Sequence, residues 1–194
     1  MDKVNKITYG LKNVYYALIE TEDEVDTVYA GPVHMPGGAS ISFSKNVNKT
    51  PIPADDDPEY AEIVDDKGYN GNLVLYDVPD SYLTDCLGMT LENGVIIENK
   101  NDKTNPFALL FEFDGDKLQK RHVFYRCVGE KPDVASQTKG DGTTANQVTL
   151  NMSATPTKDT GDIKATCPSG ATAYKTWFEV VKTKKLIKEG TANS

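Results

Sequence analysis

The sequence predicts a mainly β protein: an antiparallel β-sandwich or partial barrel with one short flanking helix and a long inter-strand loop. Three observations lead there. Apolar and polar residues alternate over several short windows, clusters of Gly, Pro, Asn and Asp separate those windows, and only one stretch has helical spacing. At 194 residues the chain suits a single domain spanning 1–194, which buries roughly two-thirds of its unfolded surface and needs no cross-link.

The clearest strand is Ala39 to Ser44, A-S-I-S-F-S, which places Ile41 and Phe43 on one face and Ser40, Ser42 and Ser44 on the other. From Phe107 to Phe113, Phe107, Leu109, Phe111 and Phe113 alternate with Ala108, Leu110 and Glu112. Asp114-Gly115 then turns the chain, and Leu118 to Cys127 returns, which is a hairpin signal. Further strands are expected near 14–19, 26–30, 59–64, 72–77, 95–98, 147–154, 163–167 and 176–182. The helix is expected at 80–87, where Asp80 can cap, Leu83, Cys86 and Leu87 share one face, and Gly88 can end the helix in the left-handed conformation.

Two segments, about 45–58 (KNVNKTPIPADDDP) and about 128–146 (VGEKPDVASQTKGDGTTAN), are dense in turn-forming residues and are read as long loops. The lysines of KTKKLIK, Lys182 to Lys188, are read as a polar edge on a solvated last strand rather than a nucleic-acid patch.

Composition excludes several chemistries. Twenty-nine Asp and Glu against 21 Lys and Arg give a formal charge of −8, and affinity for DNA comes largely from cations that displace counterions, so stable nucleic-acid binding is not expected. Cys86, Cys127 and Cys167 are odd in number and widely spaced, so they are read as reduced apolar side chains rather than a disulfide framework or zinc site. No apolar leader and no membrane-length apolar run is present. Such a chain is expected in the cytoplasm first, with no membrane partner.

Enzymatic chemistry is not expected either. His34 and His122 have no metal-ligand spacing and no nucleophile motif beside them, and His122 is read as a strand residue satisfied by its neighbours. Asp55, Asp56, Asp57 and Glu59 miss the calcium-loop pattern, because Tyr60 stands where Gly is needed. Pro36-Gly37-Gly38 and Gly140-Asp141-Gly142 lack the helix and Lys of a phosphate loop. Neither a catalytic residue, a cofactor nor a metal is assigned.

A series of strings resembles the major tail proteins, or tail tube proteins, of long-tailed, non-contractile phages of Gram-positive bacteria. They are Tyr9-Gly10-Leu11-Lys12-Asn13-Val14, Met35 to Ser44 (MPGGASISFS), Gly68-Tyr69-Asn70-Gly71-Asn72-Leu73, Val78-Pro79-Asp80-Ser81 with Leu87-Gly88, Asn93-Gly94-Val95, Phe107 to Asp116, Arg121-His122-Val123 and Tyr174-Lys175-Thr176-Trp177-Phe178. Their order covers nearly the whole chain.

The resemblance implies the tail tube fold and a structural virion protein. Such subunits form homohexameric rings that stack into a tube, through which DNA is ejected without specific binding. Implied partners are further copies of the chain and the tape-measure, tail terminator and distal tail proteins, and the implied location is the virion tail after a period in the host cytoplasm. About four strands per subunit give ~24 strands, and at ~4.8 Å spacing and ~40° tilt the barrel is ~48 Å across. Its bore of roughly 36 Å would pass a ~20 Å duplex, and an acidic lumen would repel phosphates.

By resemblance Ser40, Ser42 and Ser44 are candidate lumen-facing residues. The 45–58 segment, with Asn46, Asn48, Lys49, Pro51, Pro53, Asp55, Asp56 and Asp57, is the candidate inter-ring loop. Two other classes stay open: a related tube or ring subunit, such as a secretion-system tube or tail terminator, and a surface carbohydrate-binding β module.

Overall fold

In the computed structural model, which describes residues 9–116, 118–134 and 145–192, strands dominate. In chain order they are β1 (Leu11–Glu22), β2 (Thr27–Tyr29), β3 (Val33–His34), β4 (Gly38–Ala54), β5 (Asp57–Leu75), β6 (Thr90–Glu92), β7 (Val95–Ile97), β8 (Phe107–Phe113), β9 (Arg121–Gly129), β10 (Val148–Ala154) and β11 (Lys164–Cys167). Helix α1 (Asp80–Asp85) lies between β5 and β6, and α2 (Lys184–Ala192) follows β11.

Nine strands form one antiparallel sheet in the order β2-β1-β8-β9-β10-β5-β4, with β11 also paired to β9 and β3 to β1. The sheet curls until β4 approaches β1: a Cβ at Gly38 would lie 3.1 Å from both Leu11 and Val14. The result is a half-barrel, the mainly β class that the alternation predicts. β6 and β7 make a separate hairpin across Asn93-Gly94, whose φ values of 51° and 81° are those of a type I′ turn.

Two apolar layers hold the sheet. Inside the curl, Val14, Tyr16, Leu73, Leu75, Phe107, Leu109 and Leu150 pack against Tyr82 of α1 and Cys86 and Leu87 just after it. Outside it, Ala108, Leu110, Val123 and Tyr125 are covered by Trp177 and Val181 from the C-terminal segment. β8 therefore has the face assignment its alternation predicts, yet Phe107 to Glu112 are all buried because both faces are covered. The three cysteines are free and buried.

Glycine matters most where β4 and β5 cross the barrel wall. A Cβ on Gly71 would overlap the Ser42 carbonyl and press the Phe43 ring. We expect Gly71→Ala to cost about 1–3 kcal/mol by overpacking, read as a lower midpoint in chemical denaturation.

Several local expectations change. The 45–58 segment is not a loop: it is the outer half of the β4–β5 hairpin, in register from Val47↔Asp66 to Ile52↔Ala61, with a register shift before the last pair, Ala54↔Asp57. Its Pro51 and Pro53 signalled a break, but β4 pairs only with β5, and an edge strand tolerates residues that cannot donate on the open side. The turn is only Asp55-Asp56, both at positive φ (50° and 63°), a conformation that Asp tolerates. The strands expected at 59–64 and 72–77 are one strand, β5.

Asp80 lies in the first turn of α1 rather than capping it; Pro79 is the N-cap and no side chain caps the helix. Gly88 does adopt positive φ, 71°. The β8–β9 connection is longer than an Asp-Gly turn, with Asp116 accepting the backbone N–H groups of Leu118 (3.0 Å) and Lys120 (3.1 Å).

The 176–182 segment is a chain of turns rather than a strand. Trp177 and Val181 are buried while Glu179, which a strand would place on the same face between them, is exposed, and Glu179 and Val180 N–H groups both donate to the Thr176 carbonyl. Lys184, Lys185 and Lys188 belong to α2, where straight-chain residues favour helix once no strand partner is present. In the second expected loop, Val128 and Gly129 complete β9, 130–134 and 145–147 have no regular structure, and 135–144 lie outside the described residues.

Candidate interaction surface on the hairpin arm

The outer half of the β4–β5 hairpin makes an arm. From Lys45 to Ala54 it runs about 30 Å at ~3.3 Å per residue. Gly68, at φ 97°, supplies the bulge where the arm leaves the barrel wall, between the Lys45↔Tyr69 and Val47↔Asp66 pairs. The Lys45 ammonium pairs with Asp66 across that bulge. Together with the Gly68 N–H, it holds the Asp66 carboxyl below its usual range.

Alternation assigns the faces. Ser40, Ser42 and Ser44 are exposed, and Ile41 and Phe43 pack on the inner core, as the sequence predicts. The serine face continues along β4 through Asn46, Asn48 and Thr50, so every second residue from 40 to 50 is a small, neutral, hydrogen-bonding side chain. Across from it on β5 stand Asn72 and Asn70 near the barrel, then Asp65, Ile63 and Ala61 on the arm. The other face carries Val47, Lys49, Pro51, Glu62 and Val64, with a Lys49–Glu62 ion pair at 3.2 Å. Of the candidate inter-ring residues, Asn48, Lys49, Pro51, Pro53, Asp55 and Asp56 are exposed on the arm and Asn46 is half-buried near its root. Asp57 opens β5 at the tip.

Sequence reasoning missed the arm's apolar component. Tyr60 is 63% exposed, Ile63 and Val64 are each 56% exposed, and Ile52 is 40% exposed. None of them belongs to either core layer. Exposed apolar residues on a long edge hairpin are a pairing or aggregation liability unless something covers them. The available signal was the strand-like run Tyr60-Ala61-Glu62-Ile63-Val64, whose apolar side chains Tyr60, Ile63 and Val64 join neither core layer.

A second feature lies at the arm's root. Phe43, Phe111, Phe113, Phe124 and His122 line an open recess of about 200 Å³ with Lys164 at its rim. Phe43 and Phe124 centroids are 4.4 Å apart, and His122 stacks on Phe111 at 5.2 Å. Lys164 and Lys45 stand over the Tyr69 ring at 4.7 and 4.5 Å. Lys45 is paired with Asp66, whereas Lys164 forms no ion pair among the described residues.

His122 bonds Thr166 Oγ1 at 3.2 Å, the neighbour-satisfied strand histidine that the sequence predicts. Burial pushes its pKa below the usual value, with Asp116 acting in the opposite direction. A depressed folded pKa means that protonation favours the unfolded chain. Stability is then retained above about pH 6.5 and falls as the pH drops from there toward the folded pKa, by up to about 1.4 kcal/mol per pH unit. His122→Phe is expected to remove that part of the slope, checked by urea midpoints between pH 5 and 7.5.

Among the described residues no group of three or more His, Cys, Asp or Glu side chains could hold a metal ion. No helix among them is long and apolar enough to cross a membrane. Compared with known proteins, the chain matches no family model and no curated protein.

Proposed function

We propose that this chain is a structural subunit that polymerises with copies of itself into the tail tube of a long-tailed phage. Its rings are hexameric and stacked, and DNA passes through the bore. The observation that carries this reading is the arm: an edge hairpin about 30 Å long with Tyr60, Ile63, Val64 and Ile52 exposed and outside both core layers. A surface of that kind suits a partner that buries it. Open sheet edges at β4 and β2 support the same reading, because ring closure removes edges that a monomer would leave bare. The series of tail-protein-like strings from Tyr9 to Phe178 selects the phage tube over other β assemblies. In the assembled tail the partners are further copies of the chain and the tape-measure, terminator and distal tail proteins, and the role is mechanical rather than catalytic.

On this reading Ser40, Ser42 and Ser44 face the lumen, and the stripe through Asn46, Asn48 and Thr50 extends that neutral surface. A lining without cations gives DNA phosphates nothing to grip. Negative-stain microscopy of the purified protein, aged at high concentration, is expected to reveal tubes or stacked rings. A protein that forms neither tubes nor stacked rings under these conditions would refute the proposal.

A further inference from the structure

We infer that the aromatic recess at the arm's root is the receptor for the arm tip of a second copy, with Tyr60 entering the recess and Asp55 and Asp56 facing Lys164. The inference rests on the self-assembly reading and names the contact that would hold one subunit to the next.

Size argues for a side chain as the occupant. A recess of about 200 Å³ is smaller than the roughly 300–1,000 Å³ of sites for drug-sized ligands, but it suits one ring. Chemistry argues for an aromatic ring, since Phe43, Phe111, Phe113 and Phe124 present edges and faces to an incoming phenol.

Charge argues for an acidic partner. The chain carries −8 overall, yet the rim of this recess carries Lys164 with no carboxylate partner among the described residues. The arm tip presents both complements together: exposed Asp55 and Asp56 at the turn and an exposed Tyr60 a few residues along β5. Tip and recess lie at opposite ends of the same arm. A copy whose tip enters its neighbour's recess is therefore displaced by about one arm length, ~30 Å. Such a head-to-tail contact is heterologous, and with a displacement of that size it links successive rings along a tube.

Disulfide trapping between two differently substituted proteins tests this, because Cys86, Cys127 and Cys167 are buried. Ala54→Cys places a thiol beside the tip. Thr166→Cys places one on the exposed, recess-facing side of β11. Mixed, aged at high concentration and oxidised, the two are expected to give a mixed dimer at least about tenfold more abundant than the homodimer of either alone, and Tyr60→Ala should cut that yield about tenfold. Circular dichroism establishes that each variant is folded.

Tubes with the mixed disulfide support the inference, and tubes without it overturn the inference while leaving the tube reading intact. The disulfide without tubes supports the contact and refutes the tube. Neither tubes nor disulfide overturns both. A mixed disulfide insensitive to Tyr60→Ala overturns the recess as the receptor.

Discussion

Replacing residues 48–65 by Asn-Gly, so that Val47 and Asp66 are joined by a two-residue turn, is expected to abolish polymerisation and leave the half-barrel folded. The two outcomes separate because the arm belongs to neither core. From Asn48 to Asp65 the described side chains are exposed apart from the half-buried Ala54. Removing them takes away little buried apolar area, which is the main source of folding stability. The melting temperature should therefore move by no more than about 4 °C, the equivalent of ~1 kcal/mol for a chain of this size. Sedimentation and microscopy read the assembly, and circular dichroism reads the fold. Asn-Gly suits the closure because both positions of a type I′ turn have positive φ, as Asp55 and Asp56 do. Tubes of normal length from the shortened protein would show that the arm is not an assembly contact.

The largest effect on stability is expected from Arg121→Ala. Glu112 is buried, with its side chain only 8% exposed, and Arg121 Nε donates to its Oε2 at 3.0 Å. Asn13 Nδ2 donates to Oε1 at 2.6 Å and Lys12 is more distant at 3.7 Å. Removing the guanidinium leaves a buried carboxylate without its main counter-charge, a change that costs about 3–5 kcal/mol. The same guanidinium sits 3.9 Å over Tyr174 and 4.6 Å over Phe178, and its Nη1 donates to the Tyr174 carbonyl. Arg121 thus ties the C-terminal segment to the outer face of the sheet. Hydrogen exchange should rise first around Trp177 and Val181, which cover Ala108, Leu110 and Val123. Arg121→Ala with Glu112→Gln should recover part of the loss, because the unpaired charge is gone. An unchanged denaturation midpoint for the single variant would place the stabilisation of this layer elsewhere.

Beneath both predictions lies one contrast between local and distant information. Strands whose two faces differ were legible. A-S-I-S-F-S gives Ile41 and Phe43 to the core and three serines to solvent, because period-2 alternation is a property of the strand itself. Helix α1 was legible for the same local reason, although it ends at Asp85 and not at the expected 87; Cys86 and Leu87 are buried in the turn that follows, before the left-handed Gly88. The cysteines followed from their spacing and apolar context. Asn93-Gly94 carried a hairpin signal as strong as Asp114-Gly115, and it forms the tighter turn of the two.

What was not legible depends on partners far along the chain. Whether a proline-containing stretch is loop or strand is decided by which side of it lies open, and only the sheet order reveals that β4 has a single neighbour. Residues 176–182 look strand-like until the outer face of β8 and β9 selects Trp177 and Val181 to cover it. The recess brings together Phe43, Phe111, His122 and Lys164 from four different strands, so no spacing in the sequence announces it. Composition and alternation by themselves determined a mainly β, acidic chain, one of the two short helices among its described residues and no linear catalytic motif. The tertiary structure decided that the supposed loop is an arm, which of its residues stand uncovered, and where a cationic aromatic recess lies beside it, because strand pairing and burial are set by contacts that local sequence does not encode.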